Sequence, residues 1–244
     1  MKRGRIFTIT VIHINYVTKI PSLPHSNHTN LPNPDWQNSI APIHGLFLAG
    51  GASQRMGRDK RTIEYHGVSQ LDYVAQLLGE FVDEVFISCH PDRMANTTYK
   101  LLKDTFLDLG PYGGVLSAFR FNPNVAWLTV PVDMPLLDAS LISELIEHRD
   151  TSKLATCFHD PITELPEPLL TIWEPRAYLV LLQNLGQGHS CLRKVLINSD
   201  VKVLTTSMTD KLRNANTPAE MEDMYAKLKA ETKAKAKAKA EEPS

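Results

Sequence analysis

The chain has 244 residues, 43% hydrophobic and 22% charged, enough to bury one full core with room for extensions at its ends. A formal net charge of −1 sets up no global field for nucleic acid or an anionic membrane, and no stretch approaches the roughly 20 apolar residues of a membrane span, so neither is expected as a partner. The cysteines Cys89, Cys157 and Cys191 are widely separated, contain no Cys-x-x-Cys pair and read as reduced thiols of a cytoplasmic protein.

Residues 1–42 differ in composition from the rest. Lys2, Arg3 and Arg5 precede an apolar stretch from Ile6 to Val17, but His13, Asn15 and Tyr16 interrupt it and no small-residue cleavage site follows, which argues against a signal peptide. Pro21 to Pro42 is rich in proline, serine, asparagine and histidine, a composition that favours an extended, flexible linker. Part of Ile6 to Val17 is still able to add an edge strand.

From residue 43 onward strand and helix patterns alternate, which predicts a domain over 43–231 of the α/β class: three α-β-α layers around a mostly parallel sheet. Ile43 to Leu48 is apolar except for His44, as befits a buried parallel strand, and it breaks into Gly50-Gly51. The loop that follows holds Gly57, the planar donor fork of Arg55 and the point charge of Lys60, residue types that suit phosphate. Its spacing is neither a dinucleotide fingerprint nor a Walker loop. Leu71, Val74, Leu77, Leu78 and Phe81 recur at helical spacing, and Val85 to Cys89 is a second strand. The region of a third strand carries Asp104 and the glycine-rich turn Gly110-Pro111-Tyr112-Gly113-Gly114, which leads into a helix from Val115 to Phe121.

Val125 to Val130 is the next strand, ending in Pro131-Val132-Asp133-Met134-Pro135. Asp138 or Ser140 then caps a helix carrying Leu141, Ile142, Leu145 and Ile146. Leu154 to Phe158, Leu169 to Trp173 and Val201 to Thr205 read as further strands, with helices around Ala177 to Leu185 and Ser190 to Ile197. Thr217-Pro218-Ala219-Glu220 is a capping box with proline at the first helical position. Residues 232–244 are a Lys/Ala-rich tail with no apolar face, expected to be solvated and disordered.

Ligands of open α/β sheets bind beyond the carboxyl ends of strands, which here groups the loop with Arg55 and Lys60, the region of Asp104 and the loop of Asp133 in one crevice. Asp133, a carboxylate at a strand end between two prolines, is the candidate metal ligand, since Mg²⁺ typically takes one or two carboxylates plus phosphate oxygens and waters. An Asp there also serves simply as a turn or helix cap.

Leu48-Ala49-Gly50-Gly51-Ala52-Ser53-Gln54-Arg55-Met56-Gly57-Arg58-Asp59-Lys60 resembles the opening loop of the molybdenum cofactor guanylyltransferases. Two later segments, Pro166-Glu167-Pro168-Leu169-Leu170 and Asn214-Ala215-Asn216-Thr217-Pro218, extend the resemblance from about Gly45 to Met224. The resemblance implies the nucleotidyltransferase fold and transfer of GMP from GTP to the phosphate of molybdopterin, with Mg²⁺ as cofactor and molybdoenzyme-maturation proteins as further partners. It implies Arg55, Lys60 and Asp133 as catalytic residues. Leu48, Ala49, Gly50, Gly51, Lys60, Ser88, Asp104, Gly110, Gly113 and Asp133 are the nucleotide contacts it implies, with Asp108 a competitor for Asp104, and Ser88 stands where members often have Asn. Asn214, Asn216 and Arg193 fall on the acceptor side. Leu-Ala-Gly-Gly favours GTP over CTP by the same resemblance. The alternatives are a CTP-dependent molybdopterin cytidylyltransferase, another small-molecule nucleotidyltransferase, and a non-catalytic cofactor-binding chaperone that keeps the nucleotide pocket.

Overall fold

The computed structural model describes residues 40–49, 60–91 and 97–241; for Lys60 and residues 231–241 it describes the backbone alone. Seven strands run through it, β1 Ile43–Leu48, β2 Val85–Cys89, β3 Lys100–Lys103, β4 Ala126–Pro131, β5 Ala155–Asp160, β6 Leu165–Trp173 and β7 Lys202–Leu204. They form a single sheet in the order β3-β2-β1-β4-β6-β5-β7. Five of the helices among the described residues pack on it, α1 Gln70–Gly79, α2 Pro111–Phe121, α3 Ala139–Glu147, α4 Ala177–Gly186 and α5 Leu192–Ile197, while α6 Pro218–Glu241 packs through Met224 with Leu136 and Ala215. This is the α-β-α architecture read from the alternation of patterns.

The two faces of the sheet explain why its central strands are apolar almost without interruption. Successive side chains of a strand point to opposite faces. Leu46 and Leu48 enter a core with α2, α4 and α5, whereas Phe47 enters the other core with α1 and α3. Trp127 and Leu128 divide in the same way on β4. His44, the polar exception in β1, is absorbed by aromatic packing, with ring centroids 5.9 Å from Phe86 and 5.5 Å from Trp127.

The sheet is mostly parallel, and β6 is the exception: it runs antiparallel to both β4 and β5. β5 and β6 meet in a hairpin, so the strands extend well past the apolar segments 154–158 and 169–173. Pro166 and Pro168 disguise this extension. They are tolerated because the pairing of β6 with β4 covers only Thr171 to Trp173, and the prolines lie beyond it. Asp160 closes the hairpin, accepting from Ile162 N–H at 2.9 Å and from the Thr163 hydroxyl at 2.6 Å.

Helix ends follow the capping signals. Asp138, rather than Ser140, is the N-cap of α3 and accepts from the Leu141 N–H. Glu220 accepts from the backbone N–H groups of Asn216 (2.7 Å) and Thr217 (2.9 Å), closing the capping box of α6. The backbone of α6 is helical to Glu241, through most of the Lys/Ala segment. Among the described residues no helix is long and apolar enough to cross a membrane. Cys89 and Cys157 are buried free thiols and Cys191 is exposed.

Candidate active site

Strand register brings three carboxyl ends together. Leu48 at the end of β1 is the parallel partner of Ser88 in β2 on one side and of Pro131 in β4 on the other. The carboxyl end of β1 therefore lies between Ser88 and the strand end that leads to Asp133. Gly50, Gly51 and Arg55 lie outside the described residues, as does the side chain of Lys60. The backbone of Lys60 opens a short 3-10 turn, Lys60–Thr62, ahead of α1. The segment that follows runs beside the Asp133 loop: His66 Nε2 lies 2.8 Å from Pro135 O, and Gln70 Nε2 donates to Met134 O at 3.4 Å.

On the β2 side, Ser88, Asp104 and α2 build a cradle. β3 ends at Lys103, and Asp104 N–H donates to Cys89 O at 2.9 Å. The buried Ser88 hydroxyl donates to Asp104 Oδ1 at 2.7 Å. Burial raises the Asp104 pKa, an effect opposed by the Ser88 hydrogen bond and by His90. Asp108 is an exposed turn residue at φ 60, and it is Asp104 that the Ser88 hydroxyl holds. Ser88 spends its hydroxyl on positioning Asp104, a role the resemblance does not indicate.

The glycine turn is largely helix. Pro111 is the first residue of α2, four residues earlier than the apolar pattern indicates, and Gly110 is its N-cap at φ 56, a left-handed conformation that favours glycine. At Gly113 a Cβ would overlap the backbone carbonyl of Phe106, so this glycine is required by protein packing itself. At Gly114 a Cβ would lie 2.7 Å from Ser88 Oγ and 3.1 Å from Leu48 Cδ2. Gly114 thus lets α2 approach the cradle closely. Gly114→Ala is expected to destabilise the fold by about 1–3 kcal/mol, the scale of overpacking, and to push Ser88 off Asp104. Adding Ser88→Ala removes the clashing oxygen, so thermal melting of the double variant recovers part of the loss.

Asp133 is tied to the chain's last loop. Its carbonyl accepts the Ala215 N–H at 2.8 Å, which sets Asn214 and Asn216 beside it. The Asn214 side-chain oxygen, next in the chain to that Ala215 N–H, is buried and accepts no hydrogen bond from any described residue. Asn216 is exposed, its N–H used by Glu220. The Tyr65 phenol is raised to about 12 by burial, then by Tyr225 and by the Asp133 charge. Tyr65 and Tyr225 pack with ring centroids 4.9 Å apart, and the Tyr225 hydroxyl donates to Glu64 O at 2.9 Å. α6 thereby holds the segment after Lys60 against the Asp133 turn.

Glu167 joins this environment from β6. Burial lifts its pKa to about 7; the Leu169 N–H and Arg193 oppose that shift, and Asp160 and Asp133 add to it. Arg193, on α5, donates from Nε to Pro166 O at 3.2 Å and so belongs to the β5–β6 hairpin. Tyr65 carries no motif that singles it out in the sequence. Glu167 has a weak one, an acid between prolines leading into an apolar strand.

Among the described residues no three His, Cys, Asp or Glu side chains converge as a metal cluster. One carboxylate with an amide oxygen nearby fits Mg²⁺, which keeps several waters and takes phosphate oxygens from its substrate, better than it fits a metal needing a full protein cage.

Comparison with known proteins agrees with this geometry. The model of the MobA-like NTP transferase domain matches residues 45–203. A molybdenum cofactor guanylyltransferase of Pseudomonas putida is 30% identical over 192 residues, 76% of this chain and 99% of that protein. A molybdenum cofactor biosynthesis bifunctional protein of Synechocystis is 29% identical over 185 residues, 75% of this chain; the match spans 53% of that longer protein. Among solved structures, molybdopterin-guanine dinucleotide biosynthesis protein A of Archaeoglobus fulgidus superposes with a TM-score of 0.64 at 18% identity, covering 75% of this chain and 97% of that one. With its fold and its sequence in agreement, this chain belongs to the MobA-like NTP transferase family and is a nucleotidyltransferase.

Proposed function

We propose that the enzyme transfers GMP from GTP to the phosphate of molybdopterin, releasing pyrophosphate and forming the guanine dinucleotide. The observation that carries the reading is the convergence of the Ser88–Asp104 cradle, the Asp133 turn and the Asn214–Asn216 loop at one end of the sheet. The first suits a nucleoside, the second a triphosphate, and the third an acceptor. The nucleophile, a phosphate monoester, is already ionised near neutral pH, so the reaction needs alignment and charge cancellation rather than a protein nucleophile.

In this reading Leu48, Ala49, Gly110 and Gly113 shape the nucleotide side through backbone, and the Asp104 carboxylate contacts the nucleoside. Arg55 and the N–H groups of the Gly50–Gly51 loop receive the departing pyrophosphate, and Lys60 stabilises the α-phosphoryl transition state. Asp133, with Asn214 near it, would hold Mg²⁺. When bound, the ion neutralises triphosphate charge and favours in-line geometry. Asn216 and Arg193 stand on the acceptor side, and molybdoenzyme-maturation proteins are the expected receivers of the product.

The test is pyrophosphate release with Mg²⁺ and GTP or CTP, with and without molybdopterin. The expected result is release that needs the acceptor and is at least about tenfold faster with GTP, the factor worth some 1.4 kcal/mol of transition-state preference. Faster release with CTP would identify a cytidylyltransferase. Tight GTP binding without turnover would identify a nucleotide-binding chaperone.

A further inference from the structure

Arg193 is immobilised to a degree that a solvated helix residue would not need. Besides the Nε bond to Pro166 O, its Nη2 stands 3.6 Å from Glu167 Oε2 and 3.8 Å from Asp160 Oδ2. Both carboxyls are themselves fixed. Glu167, whose side chain is 5% exposed, accepts the Leu169 N–H on Oε1 at 2.8 Å, and Asp160 is locked by the hairpin turn. Nη1 of Arg193 makes no hydrogen bond with any described residue, and 30% of the side chain remains open to solvent.

Burying a carboxyl such as Glu167 costs stability, and an apolar residue of similar volume would pack at least as well. An acid kept there for packing alone is a poor solution. An acid kept there to orient a guanidinium is a reasonable one, because a free arginine has many rotamers and an anion captures it at an entropic cost. The cluster also lies within electrostatic reach of Asp133, at the reactive end of the sheet.

We propose that Glu167, assisted by Asp160, is a positioning residue that holds Arg193 with its Nη1 edge presented to the phosphomonoester of the acceptor, so that this brace sets acceptor affinity and leaves nucleotide affinity alone. The inference rests on the nucleotidyl-transfer reading and names the side chains that tune it.

Steady-state kinetics with Mg·GTP and molybdopterin test it through Glu167→Gln, Arg193→Ala and the double variant. Glutamine fills the same space, but its single oxygen serves either Leu169 N–H or Arg193, not both. Glu167→Gln is expected to raise the acceptor KM roughly tenfold, a modest misplacement effect, with the GTP KM and melting temperature unchanged. Arg193→Ala raises the same constant, and the double variant rises no further, because Glu167 acts through Arg193. Equal loss in both KM values with a lower melting temperature, or additive losses in the double variant, overturns the brace.

Equilibrium binding of molybdopterin without nucleotide separates the two readings. A dissociation constant that rises in both single variants supports the brace whatever the donor, and one that moves in neither overturns it. Failure of the wild-type protein to use GTP while it still binds molybdopterin overturns only the guanylyl-transfer reading.

Discussion

Asp133→Ala and Lys60→Ala are each expected to lower kcat by at least ~10²-fold, the scale of losing one preorganised charge at a centre where charge develops. Asp133→Asn is the sharper variant, since it preserves size and removes only the negative charge. The Asp133 carboxylate raises the pKa of both Tyr65 and Glu167, so it shares a partly dehydrated space with another acid and a phenol. Asp133→Asn is expected to keep the parent's melting temperature, because asparagine preserves the size and shape of the side chain. Losing catalysis while keeping or gaining stability separates a catalytic role from a capping role, because loss of a cap would cost ~1 kcal/mol. Near-wild-type turnover in both Lys60→Ala and Asp133→Asn would overturn the assignment. The pH profile gives a second readout. Glu167 is raised in part by Asp133, so in Asp133→Asn its pKa moves down from about 7 toward the ordinary glutamate range.

The strand ends around those residues are legible in the sequence because their signals are local and one-dimensional. β1 is apolar on both faces because both faces are buried, and a strand that ends in paired glycines announces its own loop. Asp133 stands out by sitting between prolines at a strand end. The helix caps at Asp138 and Thr217–Glu220 are likewise set by neighbours in the chain.

What sequence alone hides is pairing across the fold. The direction of β6 has no local signature, and Pro166 and Pro168 obscure its length because they lie past the end of its partner β4. The service of Ser88 to Asp104 depends on β2 and β3 lying side by side, and that of Glu167 to Arg193 on α5 crossing the hairpin. Gly113 illustrates the same limit from the other direction. Resemblance assigns it to the nucleotide, whereas the carbonyl of Phe106 occupies the space a side chain would need, so packing suffices to require glycine there.

The largest stability effect is expected far from the crevice, at the Arg149–Glu174 pair. Arg149 donates from Nε to Glu174 Oε1 at 2.7 Å and from Nη2 to Oε2 at 2.8 Å, a two-point fork, while Nη1 reaches Ala41 O at 2.9 Å. The side chains are 9% and 2% exposed. The pair joins the chain just past α3 to the end of β6 and, through Nη1, to the segment entering β1. Glu174→Ala strands the guanidinium in a dry site with one remaining acceptor, and is expected to cost about 3–5 kcal/mol by urea unfolding, the range for breaking one partner of a buried ion pair. That is a large share of the ~5–15 kcal/mol that holds a domain together, so the variant should also accumulate poorly at 37 °C. Removing both charges tells a different story. Arg149→Met combined with Glu174→Leu leaves no orphaned charge, and apolar replacement of a buried pair is often neutral or better, so the double variant should recover most of the single-variant loss. A Glu174→Ala cost below ~1 kcal/mol, the level of an exposed pair, would mean that water reaches the fork and that the pair is ornamental to the fold.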